Sequence, residues 1–236
     1  MVLSKPDILR HIQEGKIRFD PVVSPDQVAQ VSIDLRLGRK FTTFKDPPAF
    51  LAAIHVDPSL WDSVDLWNRE ERDSFLLKPR EFVLAQTLER IAMPTDLIGF
   101  VEGRSSFARV GITIHITAPK IDPGFDGHIT LEMANFGKVP VELRAEIDQP
   151  AQLILMTLTT PLAESEVYGT GGKDVFQHQT EPIPSKPKKL TSQTKGDIKT
   201  PFCYFHQDLQ EEVKKTCTKQ RLMRMSTGWK SKGLTY

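Results

Sequence analysis

Cysteine is almost absent. Cys203 and Cys217 are the two in 236 residues, and both stand in the last fifth of the chain. A disulfide framework for the main body is excluded, and a reducing, cytoplasmic setting is the default expectation. Long apolar runs are missing too. None approaches the roughly 20 residues needed to cross a bilayer, so no membrane role is expected. Residues 1–16 lack a basic head followed by an apolar stretch, hence no secretory signal is expected. Nor is there an overall excess of one charge: the formal net charge is +1. That balance conceals a split. Residues 1–185 carry 19 Lys and Arg against 26 Asp and Glu, whereas residues 186–236 carry 12 against 4. An acidic body excludes a broad duplex-binding surface, because neutralising phosphates takes clustered Lys and Arg. Any phosphate site there must be local and built from a few placed groups.

What is present reads as a mainly β domain. Residues 4–14 predict a short helix that Ser4 can cap, with Ile8, Leu9 and Ile12 on one face. Residues 32–44 predict a strand, Ile33, Leu35 and Leu37 facing one way and Asp34 and Arg36 the other. Pro47 and Pro48 end it, and residues 58–68 read equally as a helical turn or a packed loop. Residues 75–77, 81–88 and 97–101 predict strands separated by turns at Pro79 and Pro94. Ile112, Ile114 and Ile116 alternate with polar residues, as do Ile129, Leu131 and Met133, and residues 152–159 give a further strand. Residues 182–187 form a proline-rich hinge, and 208–225 carry a weak helical stripe with Glu211 and Lys215 spaced i, i+4. The expected architecture is a β-sandwich or barrel-like domain with an early helix.

Three short segments carry candidate chemistry. In Gly103-Arg104-Ser105-Ser106-Phe107-Ala108-Arg109, glycine and serines follow a strand end. Either a helix opens there whose first amides, hydroxyls and arginine converge on an anion, or it is a plain helix start capped by serine. Ile121-Asp122-Pro123-Gly124-Phe125-Asp126-Gly127 is a tight turn between strands. By alternation Glu132 shares a face with His128 and Thr130, opposite the apolar face. That face is either solvated or lines a cleft, and in a cleft Glu132 is a candidate general base.

Taken together, these segments resemble the dCTP deaminase family, the deaminating branch of the trimeric dUTPase superfamily. The resemblance runs through Gly103 to Arg109, Thr117-Ala118, Ile121-Asp122-Pro123-Gly124 and Gly127-His128-Ile129-Thr130-Leu131-Glu132-x-x-Asn135. It extends to Ser32-Ile33-Asp34-Leu35-Arg36-Leu37-Gly38, to Pro79-x-Glu81-Phe82-Val83-Leu84, and to Gly172-Lys173 through Gln179. It covers residues 1–185.

The resemblance implies a distorted β-barrel of the dUTPase-like type, with a short N-terminal helix and a C-terminal extension, assembled as homotrimers with active sites between subunits. It implies hydrolytic deamination of dCTP to dUTP and ammonia. Glu132 matches the glutamate that takes a proton from water attacking cytosine C4 and delivers it to the departing ammonia. Ser105 and the carbonyl of Ala118 match the groups that position that water. Arg109 matches the arginine that stabilises charge during attack. Arg104 and Ser106 match triphosphate contacts, and Asp122 matches the acceptor of the deoxyribose 3′-hydroxyl. Gln152 and Gln179 match glutamines near the phosphates, the second on a C-terminal segment that closes over the nucleotide, and Tyr168 matches a tyrosine in that segment. Mg²⁺ is implied only as a partner of the triphosphate.

The chain lacks the His-x-Glu and Pro-Cys-x-x-Cys signature of zinc deaminases, and its six histidines show no ligand spacing, so no zinc is expected. It also departs from the family's pattern. Pro119-Lys120 follows Ala118, where members that only deaminate often carry His-Arg and bifunctional members a glycine and an aromatic. Lys120 keeps a positive charge without bidentate geometry, and Pro119 has no backbone N–H. Val175, Phe176 and Thr180-Glu181 replace a lysine, a tyrosine and a Gln/Arg-Gly pair. The readings to be separated are a deaminase that stops at dUTP, a bifunctional enzyme that goes on to dUMP and pyrophosphate, and a non-catalytic nucleotide sensor. Residues 186–236 are expected to be a basic, solvated extension with an unassigned partner.

Overall fold

The computed structural model describes residues 1–46, 67–171 and 176–184. The first element is α1 (Lys5–Gln13), within a residue of the expected helix at each end. Ser4 precedes it in extended conformation, and its Oγ donates to Asp7 Oδ2 at 2.6 Å. That hydroxyl, then the Ser4 amide and the nearby Arg10, hold the Asp7 carboxyl below its ordinary range. Ile8 is fully buried, and Leu9 and Ile12 pack against the core beside it.

Twelve strands follow among the described residues. They are β1 (Arg18–Asp20), β2 (Ser32–Leu35), β3 (Lys40–Phe44), β4 (Trp67–Glu71), β5 (Ser74–Leu77), β6 (Phe82–Ala92), β7 (Leu97–Gly103), β8 (Ile112–Thr113), β9 (Lys120–Ile121), β10 (Asp126–Asn135), β11 (Val141–Arg144) and β12 (Ala151–Thr157). One sheet runs β4-β3-β6-β10-β8, with β1 also paired to β6; a second runs β2-β12-β7-β9; β5 and β11, distant in sequence, form a two-stranded antiparallel sheet. The mainly β class and the early helix are as expected.

Two expectations are corrected. Residues 32–44 form two strands rather than one, because the chain turns at Gly38 and passes from one sheet to the other. Gly38 lies so close to β6 that its amide donates to the Gln86 carbonyl at 2.7 Å. The isoleucine alternation at 112–116 ends early as well. β8 stops at Thr113, Ile114 stays buried, and Ile116 is 55 % exposed because its amide is drawn to a side chain rather than to a strand. The undecided segment 58–68 contributes Trp67 and Asn68 to β4; its earlier residues, with 185–236, lie outside the described residues.

The core fills the space between the sheets. On β10 the odd positions Ile129, Leu131 and Met133 are buried, while His128, Thr130 and Glu132 are half-buried on the other face. Burying each such apolar side chain contributes roughly 1.5–3 kcal/mol, which pins the register and thereby decides which way Glu132 points. A buried polar knot ties the two sheets. Glu89 on β6, 0 % exposed, accepts from Arg36 Nε (2.8 Å), the Arg36 amide (2.9 Å) and Gln27 Nε2 (3.0 Å).

Candidate active site

The expected site residues fall into two groups. The first lies where β7 ends. Gly103 leads into α2 (Ser105–Ala108), one turn long, with Arg104 rather than a serine at its N-cap. A four-residue helix contributes little dipole, so phosphate binding here would rest on individual side chains and amides. Arg104 pairs with Asp34 Oδ2 at 3.2 Å and donates to the Gln149 carbonyl at 3.2 Å. Burial pushes the Asp34 carboxyl above its ordinary range, and the Arg104 guanidinium opposes that shift in part. Gln152 lies beside this pair on β12. Its Nε2 donates to the Gly103 carbonyl at 3.1 Å and its Oε1 accepts from Ser32 Oγ at 3.1 Å. Ser105, Ser106 and Arg109 project outward and are exposed.

The second group surrounds β10. Glu132 Oε2 accepts from the Ile116 amide at 3.0 Å, which draws the loop bearing Ala118 toward the carboxylate. Ala118 is exposed, and the next carbonyl, that of Pro119, accepts from the Val101 amide at 2.8 Å. Lys120 pairs with Asp122 at 2.8 Å. The turn that follows is fixed by Gly124, whose φ of +81° suits glycine; a Cβ there would also stand 2.5 Å from Val167 Cβ. This contact seats Tyr168, whose amide donates to the Pro123 carbonyl and whose Oη accepts from the Phe176 amide at 3.0 Å. Gln179 is buried, and its Nε2 donates to Thr130 Oγ1 and to the Glu181 carbonyl.

Among the described residues, no hydrogen bond or ion pair joins Ser105, Ser106 or Arg109 to Glu132, Ala118 or Asp122. Sequence reasoning missed several of the partners. Asp34 was seen within a segment that carries the resemblance, but not as the partner of Arg104. Gln149 gave no signal, and Ile116 read as an ordinary core position. Glu102 and His115, 3.3 Å apart, line a hollow of about 390 Å³ beside α2 together with Ile112 and Phe136. No group of three or more His, Cys, Asp or Glu among the described residues is placed to hold a metal ion, and no helix there is long and apolar enough to cross a membrane.

Comparison with known proteins gives a consistent result. Residues 2–158 match the family model described as dCTP deaminase-like. A protein of Methanosphaera stadtmanae named "dCTP deaminase, dUMP-forming" is 40 % identical over 195 residues, covering 80 % of this chain and 94 % of that one. A protein of Haloarcula marismortui named "dCTP deaminase" is 41 % identical over 189 residues, covering 79 % and 94 %. The solved structure of 2′-deoxycytidine 5′-triphosphate deaminase from Agrobacterium tumefaciens shares the fold with a TM-score of 0.51 and 22 % identity, over 70 % of this chain and 50 % of that one. Motif order, fold and relatives agree, and the chain belongs to the dCTP deaminase-like family of enzymes.

Proposed function

We propose that the protein hydrolyses dCTP to dUTP and ammonia, with Glu132 as the proton shuttle. The observation that carries this reading is the Ile116 amide bound to Glu132 Oε2, which keeps the carboxylate beside the loop bearing Ala118. Cytosine C4 is a poor electrophile, and its amine leaves only when protonated. A single carboxylate can serve both steps. Water held by Ser105 Oγ and the Ala118 carbonyl gives a proton to Glu132 as its oxygen bonds to C4. Glu132 returns that proton to the amine, the C4–N bond breaks as ammonia leaves, and the remaining hydroxyl proton passes to N3 to give the carbonyl and N3–H of uracil. Arg109 stabilises the charge that builds during attack.

Among the described residues of one chain, Ser105 and Arg109 make no hydrogen bond or ion pair to Glu132, and in this reading a second subunit brings them together. Homotrimer formation supplies it, one subunit giving residues 104–109 and Gln152, its neighbour Ala118, Lys120, Asp122, Glu132, Tyr168 and Gln179. Val110, Ile116 and Phe136 are exposed and give that contact an apolar component. Arg104, Ser106, Lys120 and Gln152 hold the triphosphate, Asp122 takes the 3′-hydroxyl, Tyr168 supports the closing segment, and Gln179, its amide protons taken by Thr130 and the Glu181 carbonyl, anchors that segment instead of binding phosphate. Mg²⁺ arrives with the triphosphate, its ligands being phosphate oxygens and water. Residues 1–185 make up this unit, and 186–236 are a basic extension to it.

A second reading, continued cleavage to dUMP and pyrophosphate, is favoured by the "dUMP-forming" names of relatives. Incubation with dCTP and separately with dUTP, each with Mg²⁺, distinguishes the two. Ammonia alone from dCTP supports the first. Pyrophosphate from both nucleotides supports the second. Neither product would leave only a nucleotide-binding protein without catalysis.

A further inference from the structure

We propose that Thr130 is a positioning residue of this site, the point through which segment 176–181 is held against the strand that carries Glu132. The inference rests on the deaminase reading above. Thr130 stands two residues from Glu132 on β10, on the same half-buried face. Its Oγ1 accepts from Gln179 Nε2, whose other acceptor is the Glu181 carbonyl. Around this contact the segment is threaded onto β10 by backbone. The His178 amide donates to the Asp126 carbonyl at 2.6 Å, and the His128 amide to the Gln179 carbonyl at 3.0 Å. The approach is close enough to need Gly127, where a Cβ would stand 3.0 Å from the Gln179 nitrogen. Thr130 also faces Gln86 across the β6–β10 ladder, and the buried Gln86 Oε1 has no donor among the described residues.

These contacts assign a task. Gln179 is a buried amide, and burying it without acceptors is costly. Thr130 supplies one of the two acceptors that let it stay buried. A segment held in place before nucleotide arrives loses less entropy on binding. Such an effect is uniform between ground state and transition state, so it shows in KM rather than in kcat.

Thr130→Val keeps the shape and the strand preference but removes the acceptor. Thr130→Ser keeps the acceptor. For Thr130→Val the expected results are a KM for dCTP raised about tenfold with kcat within about twofold, and faster amide exchange at 176–181 in nucleotide-free protein. Thr130→Ser should match the wild type in all three. If Thr130→Val fails to fold, Thr130→Ala is read in its place. Unchanged exchange in the valine variant overturns the proposal. So does a fall in kcat at constant KM, which would move Thr130 into the chemical step, and so does a serine variant as impaired as the valine one. Wild-type protein that releases no ammonia would sink the deaminase reading, and the positioning role with it. The exchange measurement, which needs no turnover, would still report the contact itself.

Discussion

Replacing Arg36 by methionine tests the buried knot that positions the central strands. The substitution keeps side-chain length but removes the guanidinium. Glu89 would then retain two of its three hydrogen bonds, those from the Arg36 amide and Gln27, and lose its counter-charge. Glu89 is 0 % exposed, so water cannot replace what is lost. Breaking such a pair from one side costs about 3–5 kcal/mol. With an m-value of about 2 kcal/mol/M, the urea midpoint should fall by roughly 2 M at fixed protein concentration. Adding Glu89→Gln removes the stranded charge, and the double variant should recover about half of the loss. Far-UV circular dichroism across a urea series reads both numbers. A cost below about 1 kcal/mol for the single variant would refute the reasoning, as would a double variant less stable than the single one.

Other outcomes follow from the site and from the N-terminal cap. Glu132→Gln retains an oxygen for the Ile116 amide, so the fold should survive; ammonia release should fall by at least about 10³-fold while dCTP binding remains measurable by calorimetry. Retained turnover would remove Glu132 from its role. Mixing Glu132→Gln subunits with Arg109→Ala subunits, each nearly inactive alone, should restore about a quarter of wild-type activity if each site draws on two chains of a closed oligomer. No recovery after subunit exchange would place the site within one chain. Asp7 is held below its ordinary value of 3.8, chiefly by the Ser4 hydroxyl. The stability this gives α1 is present above that value and is lost as pH falls through the lowered one. Thermal melts of Ser4→Ala should therefore lie below wild type at neutral pH and converge with it in acid; a gap that persists in acid would assign the effect to something other than Asp7.

Much of the fold was legible because burial enforces periodicity. The alternation at 129–133 and 33–37 predicted which side chains are buried, and Ser4 marked a helix start. Where the reading failed, a distant partner overrode the local pattern. Ile116 has the spacing of a core strand residue, yet its amide is taken by Glu132, sixteen positions away. Residues 32–44 look continuous, but Gly38 sits against β6 and the chain changes sheets there.

The same division holds for the chemistry. By themselves the residues pointed to the family, and the family match over residues 2–158 agrees with that reading. They also determined that Glu132 faces away from the apolar side of its strand, because alternation on a half-buried strand leaves no other choice. Only the tertiary structure decided what those residues touch. It set Arg104 against Asp34 and Gln149, turned Gln179 onto Thr130, and drew the Ile116 amide to Glu132. Such pairings join residues tens of positions apart through sheet order and register. Sheet order is fixed by how two sheets share one core, and no short stretch of the chain encodes that.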